Sequence, residues 1–205
     1  RLEEFATIYA SIKGSTDATI RDKVVFTMAG DHGVSSEGVS VFPQEVTGQM
    51  VKNFLDGGAT ISVLARHVGA RVVVVDCGVK ADFEPFDGLK IKKVGYGTDN
   101  IARGPAMSRE QAIKSLEMGI EAFNEEYLNG IDIVATGDMG IANTTPSSAI
   151  IACLTGADLS RVTGRGTGLN DDGVEKKIEV IKMSLDVNKP DSSDPIDVLS
   201  KVGGF

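Results

Sequence analysis

Tryptophan is absent, and aromatic residues make up 5% of the 205 positions. That leaves little material for the stacking platforms on which single-stranded nucleic acids bind. Basic residues are outnumbered: 21 Lys and Arg face 29 Asp and Glu, for a formal charge of −8. Duplex binding, which rests on clustered cations, is excluded on that balance. A small anionic ligand is not, because backbone amides hold anions without any net positive charge. Cysteine is nearly missing. Cys77 and Cys153 are too few for a disulfide scaffold and read as reduced core thiols of an intracellular protein. No apolar run is long enough to span a membrane, and no basic stretch leads into an apolar one as in a signal peptide. The expectation is a soluble, cytoplasmic protein with no nucleic acid and no membrane as partner.

Glycine, by contrast, is in excess, with 24 residues against a usual share of about 7%. No Gly-X-Y period accompanies it, and 41% of residues are hydrophobic, so the chain is neither collagen-like nor disordered. The question becomes where the glycines sit.

Three short, continuous apolar runs predict buried strands: Lys23 to Ala29, Arg71 to Cys77 and Asp132 to Thr136. Each ends in Gly or Asp, and such runs point to a parallel sheet covered on both faces. Helices are predicted between them. Leu2, Phe5, Ala6 and Tyr9 recur at helical spacing in Arg1 to Lys13. Val46, Met50 and Phe54 form a second stripe; Ile61, Leu64, Ala65 and Val68 a third. Ser108 with Gln111 is a capping-box pattern ahead of Ala112, Leu116, Ile120 and Phe123. Thr145-Pro146 reads as a helix start with Pro at its first position. Val174, Ile178 and Ile181 mark a later helix, and Pro195 to Lys201 a short one. Alternating strands and helices predict an α/β, Rossmann-like doubly wound fold with a mainly parallel sheet. The stretch from Ala81 to Ala106 reads as an excursion from that sheet.

In open α/β sheets, ligands bind beyond the C-terminal strand ends. Three clusters lie there or beside it. Asp138, Met139, Gly140, Ile141, Ala142, Asn143, Thr144 and Thr145 lead from a strand into a helix. Small residues admit a close ligand, and the helix start offers unpaired N–H groups at a positive dipole end. That composition suits a phosphate better than a plain turn. Gly164-Arg165-Gly166-Thr167-Gly168 is a second candidate nest of backbone amides. It only partly matches the dinucleotide fingerprint, since no strand precedes it. Lys177, on the helix that follows, either reaches an anion held at these loops or lies on a solvated face. The third cluster is Asp31-His32-Gly33. His32 is a candidate acid–base group or substrate ligand. It has no Cys or His partner at metal spacing, so no metal site is expected. His67, near a helix end, reads as compensating the dipole there. A Ser-nucleophile elbow is also lacking.

These motifs together, with Glu37-Gly-Val-Ser-Val-Phe-Pro-Gln-Glu-Val-Thr47, Asn100 to Met107 and Lys201-Val-Gly-Gly-Phe205, closely resemble the nicotinate-nucleotide–dimethylbenzimidazole phosphoribosyltransferases along the whole chain. The resemblance implies transfer of phosphoribose from nicotinate mononucleotide to a lower-ligand base such as 5,6-dimethylbenzimidazole. The products would be α-ribazole phosphate and nicotinate, in cobamide (vitamin B12) biosynthesis, made by a homodimer without cofactor or metal. The alternative is a truncated, non-catalytic homologue that only binds nucleotide or base. By motif match, the ribose-phosphate loop corresponds to Asp138 through Thr145, with Gly164 and Gly166, and the phosphate-side lysine to Lys177. The base pocket corresponds to Phe42, Pro43 and Met50, with His32. Asp138 stands where the family usually has Glu. Some members have Ser and Gln where Phe42 and Met50 stand. The family pattern also extends past both ends. It implies a small helical domain begun by residues 1–20, a nucleotide-binding domain over 21–205, and a general-base Glu in a motif downstream of Phe205. On that expectation no catalytic residue falls within 1–205, and this fragment alone is inactive.

Overall fold

The computed structural model describes residues 1–205. Its centre is a four-stranded sheet, wholly parallel, in the order β3-β2-β1-β4. The strands are β1 (Lys23–Gly30), β2 (Ala70–Gly78), β3 (Leu89–Ile91) and β4 (Ile133–Met139). The helices are α1 (Leu2–Lys13), α2 (Val46–Leu55), α3 (Thr60–Val68), α4 (Arg109–Tyr127), α5 (Thr144–Thr155), α6 (Leu159–Val162), α7 (Asp171–Asn188) and α8 (Pro195–Val202). The predicted α/β, doubly wound class is what is found.

The alternation of side chains along a strand explains the two layers. Val24 and Phe26 of β1 and Val73, Val75 and Cys77 of β2 point to one face and pack on Ala122 of α4. Ala29 and Val74 point to the other and pack on Val51 of α2. Both faces of β1 and β2 are thus covered, as parallel strands require. The Ser108 side chain and the Gln111 side chain cap α4 reciprocally, as the sequence predicts. No helix is long and apolar enough to cross a membrane.

Several expectations are corrected. The stretch from Ala81 to Ala106 is not wholly outside the sheet, because Leu89–Ile91 forms edge strand β3. Three residues with a lysine in the middle carry too little periodicity to reveal a strand. β4 does not stop at Thr136; it runs through Gly137 and Asp138, whose partners on β1 are Thr27 and Met28. Within residues 1–205 it pairs with β1 alone, and Ile133 and Val134 are exposed. α5 starts at Thr144, which puts Pro146 at the third helical position rather than the first. The stripes on α3 and α4 are only partly buried: Ala65 and Ala112 are inside, while Leu64, Val68, Leu116 and Ile120 are exposed. Cys77 is a core thiol, but Cys153 is only half-buried.

Within residues 1–205 helix α1 buries no residue, and polar contacts tie its C-terminal end to the start of β4. Asp132 accepts hydrogen bonds from Arg21 N (2.8 Å) and Asp22 N (3.1 Å), and its other oxygen lies 2.6 Å from Lys13 Nζ. The Lys13 ammonium, followed by those two N–H groups, holds the Asp132 carboxyl well below the usual carboxylate range. A carboxyl whose pKa is lowered by folding supports the fold at pH above its unfolded value of about 3.9, and loses that support as pH falls through its folded value. Asp132→Asn is therefore expected to free residues 1–20 already at neutral pH. Limited proteolysis should then cut this segment faster in the variant while the sheet stays resistant. Equal cleavage rates would show that Asp132 is not the tether.

Candidate functional site

The order 3-2-1-4 places a topological switch between β1 and β4, because the chain leaves these neighbours toward opposite sides. A crevice opens beyond their C-terminal ends. There the two strands come so close that only glycine fits. A Cβ at Gly140 would sit 2.1 Å from Gly30 O and 2.9 Å from His32 Nε2. Ala142, two residues on, has φ +73°, a left-handed conformation uncommon for alanine. The kink redirects the chain into α5. Ile141 N donates to Thr47 Oγ1 at 3.0 Å. Thr47 is fully buried on α2 and so fixes the loop from the far side. The sequence around Thr47 carries no local signal of this role, because the link spans 94 residues.

Helix α5 has no side-chain cap. Asn143 stands at its N-cap, but its amide donates instead to the Asp138 carboxylate. Thr145 N already donates to Ala142 O and Pro146 has no N–H, so the turn keeps its dipole and the Thr144 N–H for another partner. Lys177, the seventh residue of α7, is aimed there. Its Nζ donates to Thr144 Oγ1 and to Gly164 O. Lys177 is 0% exposed, which removes the solvated-face alternative. No carboxylate lies within ion-pair distance of it, and burial lowers its pKa from the ordinary 10.5. A buried cation held only by neutral oxygens is costly unless an anion completes it.

The glycine loop closes over this lysine. Gly166 has φ +54°, and a Cβ there would meet Thr144 Oγ1 at 3.3 Å and Lys177 Nζ at 3.7 Å. Arg165 braces the loop by donating to Leu169 O (3.0 Å) and pairing with Asp171. Two neighbouring hydroxyl oxygens, Thr145 Oγ1 and Thr163 Oγ1, are buried without a partner. Orphaned polar atoms are rare in native interiors, and these two residues adjoin in sequence Thr144 and Gly164, the residues that bond the lysine. The ribose-phosphate candidates Asp138 to Thr145, Gly164, Gly166 and Lys177 are thus brought together.

A cavity of about 220 Å³ lies beside them, lined by His32, Asp138, Asn143, Met28, Leu199 and Phe205 among others. Met139 also reaches it, whereas Phe42, Pro43 and Met50 do not. Phe42 is exposed in the turn before α2, and Met50 faces Asn53 one turn along its own helix. Of the four base-pocket candidates, His32 alone lines this cavity. A larger cavity of about 670 Å³ lies at the opposite end of β2. Its cations are already neutralised, Arg71 by Glu126 at 3.0 Å and Lys90 by Glu125 at 3.2 Å.

Comparison with known proteins bears on this arrangement. A family model described as "Phosphoribosyltransferase" matches residues 1–205. Among curated relatives, the nicotinate-nucleotide–dimethylbenzimidazole phosphoribosyltransferases of Geotalea uraniireducens and Geobacter sulfurreducens are each 58% identical over 205 residues. All of this chain is covered, but only 58% of each relative. The chain thus spans a little over half the length of these relatives. Among solved structures, CobT from Thermus thermophilus superposes with a TM-score of 0.94 at 41% identity. That match covers 99% of this chain and 61% of the other.

Proposed function

The chain belongs to this phosphoribosyltransferase family, and from that premise we propose that the protein moves phosphoribose from nicotinate mononucleotide to a base such as 5,6-dimethylbenzimidazole. The observation that carries the reading is Lys177, a buried cation without a counter-charge at an uncapped helix start. A phosphate seated there completes the charge, and the Thr144 N–H of α5 and the free N–H groups of the Gly164–Gly168 loop share its oxygens. Binding energy gained at the phosphate, away from the reacting carbon, orients C1′ toward the incoming nitrogen.

The bond changes balance simply. A ring nitrogen of the base attacks C1′ with its lone pair. The C1′–N bond to the pyridinium breaks, its electron pair stays on the nicotinate nitrogen, and configuration inverts. The base then loses the proton of its other nitrogen. No residue within 1–205 is assigned that proton; the proposed acceptor is the downstream Glu of the family pattern. Asp138 takes the ribose side, where its carboxylate lies in the cavity next to Asn143. Phe42, Pro43 and Met50 offer an aromatic ring, a rigid ring and a thioether to a flat apolar base. Residues 1–20 would belong to a small helical domain and 21–205 to the nucleotide-binding one. A homodimer in the cytoplasm is part of the same proposal.

The test is a product assay on the complete polypeptide with nicotinate mononucleotide and 5,6-dimethylbenzimidazole. α-Ribazole phosphate and nicotinate should appear in equal amounts. Asp138→Asn keeps the size but removes the charge; it is expected to lower kcat/KM for the nucleotide by roughly 10- to 100-fold with the fold unchanged. Wild-type kinetics in that variant would remove Asp138 from the ribose contact, and absence of product from the wild type would remove the function.

A further inference from the structure

His32 is held more firmly than a loop residue needs to be. On one side Asp31 N donates to Gly78 O (3.0 Å), and the Asp31 carboxylate accepts from Lys80 N (2.8 Å). On the other, Gly33 N donates to Thr98 Oγ1 (3.3 Å). The His32 carbonyl itself accepts from Gln44 Nε2 (3.2 Å) and Ser35 N (3.0 Å). Two glycine backbones clamp the ring. A Cβ at Gly204 would fall 2.5 Å from its Cε1, and one at Gly140 2.9 Å from its Nε2.

Despite this support the ring has no hydrogen-bond partner. The residue is 8% exposed, and Nδ1 is buried and unpaired. Nε2 is not sealed in the same way and makes no hydrogen bond with the protein either; His32 bonds only through its backbone. The cavity it lines also holds the Asp138 carboxylate and the Asn143 amide, between the apolar walls of Met28 and Phe205. Burial keeps the imidazole neutral, with its pKa pushed down to about 4. A neutral imidazole carries one donor and one acceptor. Only Nε2 is open to a ligand, so a hydroxyl, which donates and accepts, pairs with it in either tautomer, whereas a phosphate or a carboxylate pairs with the Nε2–H form alone.

We propose that His32 binds a ribose hydroxyl of the nucleotide donor, gripping the sugar together with Asp138 rather than contacting the incoming base. The proposal rests on the phosphoribosyl-transfer reading. It assigns His32 as a determinant of donor specificity: a sugar lacking that hydroxyl leaves the buried imidazole without a partner. A missing partner of this kind discriminates far more strongly than a change in apolar bulk.

The experiment is a calorimetric titration of the complete polypeptide with nicotinate mononucleotide and with its 2′-deoxy and 3′-deoxy analogues. Wild type, His32→Ala and His32→Gln are compared. His32→Ala is expected to weaken binding of the full nucleotide about tenfold or more, with KM for the base unchanged. His32→Gln, whose amide nitrogen reaches the position of Nε2, should recover part of the loss. On one of the two deoxy analogues His32→Ala should cost nothing further, which identifies the hydroxyl. An equal fold-loss on all three nucleotides, or none on any, overturns the proposal. Should His32→Ala not fold, the His32→Gln and analogue series decides by the same criterion. A wild type that binds no nucleotide at all would instead overturn the underlying function, so the two failures are distinguishable.

Discussion

Lys177→Met is expected to weaken binding of nicotinate mononucleotide by about 100-fold or more, near 3 kcal/mol, without weakening the fold. The two halves have one cause. Lys177 is wholly buried among neutral oxygens, with no carboxylate to balance it. Its charge is a liability to the folded protein and an asset only when an anion arrives. Methionine has similar length and suits the interior. Replacing a buried charge with an apolar residue of like volume is often neutral or stabilising.

The pH dependence follows with a definite sign. Burial lowers the Lys177 pKa from 10.5, so between the lowered value and 10.5 the unfolded chain binds more protons than the folded one. Stability contributed at this site therefore rises with pH across that window. Urea unfolding of wild type and Lys177→Met should show a difference that shrinks as pH climbs toward 10. Added phosphate should raise the melting temperature of the wild type only. A variant that unfolds more easily and still binds the nucleotide would mean that Lys177 is a structural residue.

Gly140→Ala is expected to cost about 2–3 kcal/mol of stability or more, a fall of roughly 5–10 °C in melting temperature for a chain of this size. The added methyl would lie 2.1 Å from Gly30 O, a backbone atom at the end of β1 that cannot swing aside. The loop from Gly140 to Asn143 must then move away from β1. A displacement of about 1 Å at such a point is enough to cost roughly 100-fold in rate. Gly164→Ala is the stability control, because nothing lies within 4 Å of its added methyl. A melting temperature for Gly140→Ala equal to that of Gly164→Ala would contradict the close approach of β1 and β4.

The framework of this molecule is legible in its residues because the signals are local. Val72 to Val75 announce a buried strand, Ser108 and Gln111 a helix start, and the glycine runs after β1 and β4 announce the strand-end crevice. The site is less so, because its decisive facts are long-range. Nothing near Lys177 says whether it faces water; that is settled by Gly164 and Gly166 folding back over it and by Thr144 arriving from another helix. The tie between Thr47 and Ile141 is equally invisible. β3 escapes notice because three residues cannot display a period. The stripe on α4 reads as core from its spacing, yet Leu116 and Ile120 are exposed, since periodicity identifies an apolar face but not what covers it. His32 groups with Phe42 and Met50 through the motif match, and the structure shows that it lines one cavity with Asp138.

The most direct test of the anion site is a crystal structure of the complete polypeptide with nicotinate mononucleotide bound. The phosphate should lie about 2.7–3.2 Å from Lys177 Nζ, at the start of α5 and under the Gly164–Gly168 loop, with the ribose toward Asp138 and His32. A nucleotide seated elsewhere, with Lys177 Nζ still resting on Thr144 and Gly164, would contradict it.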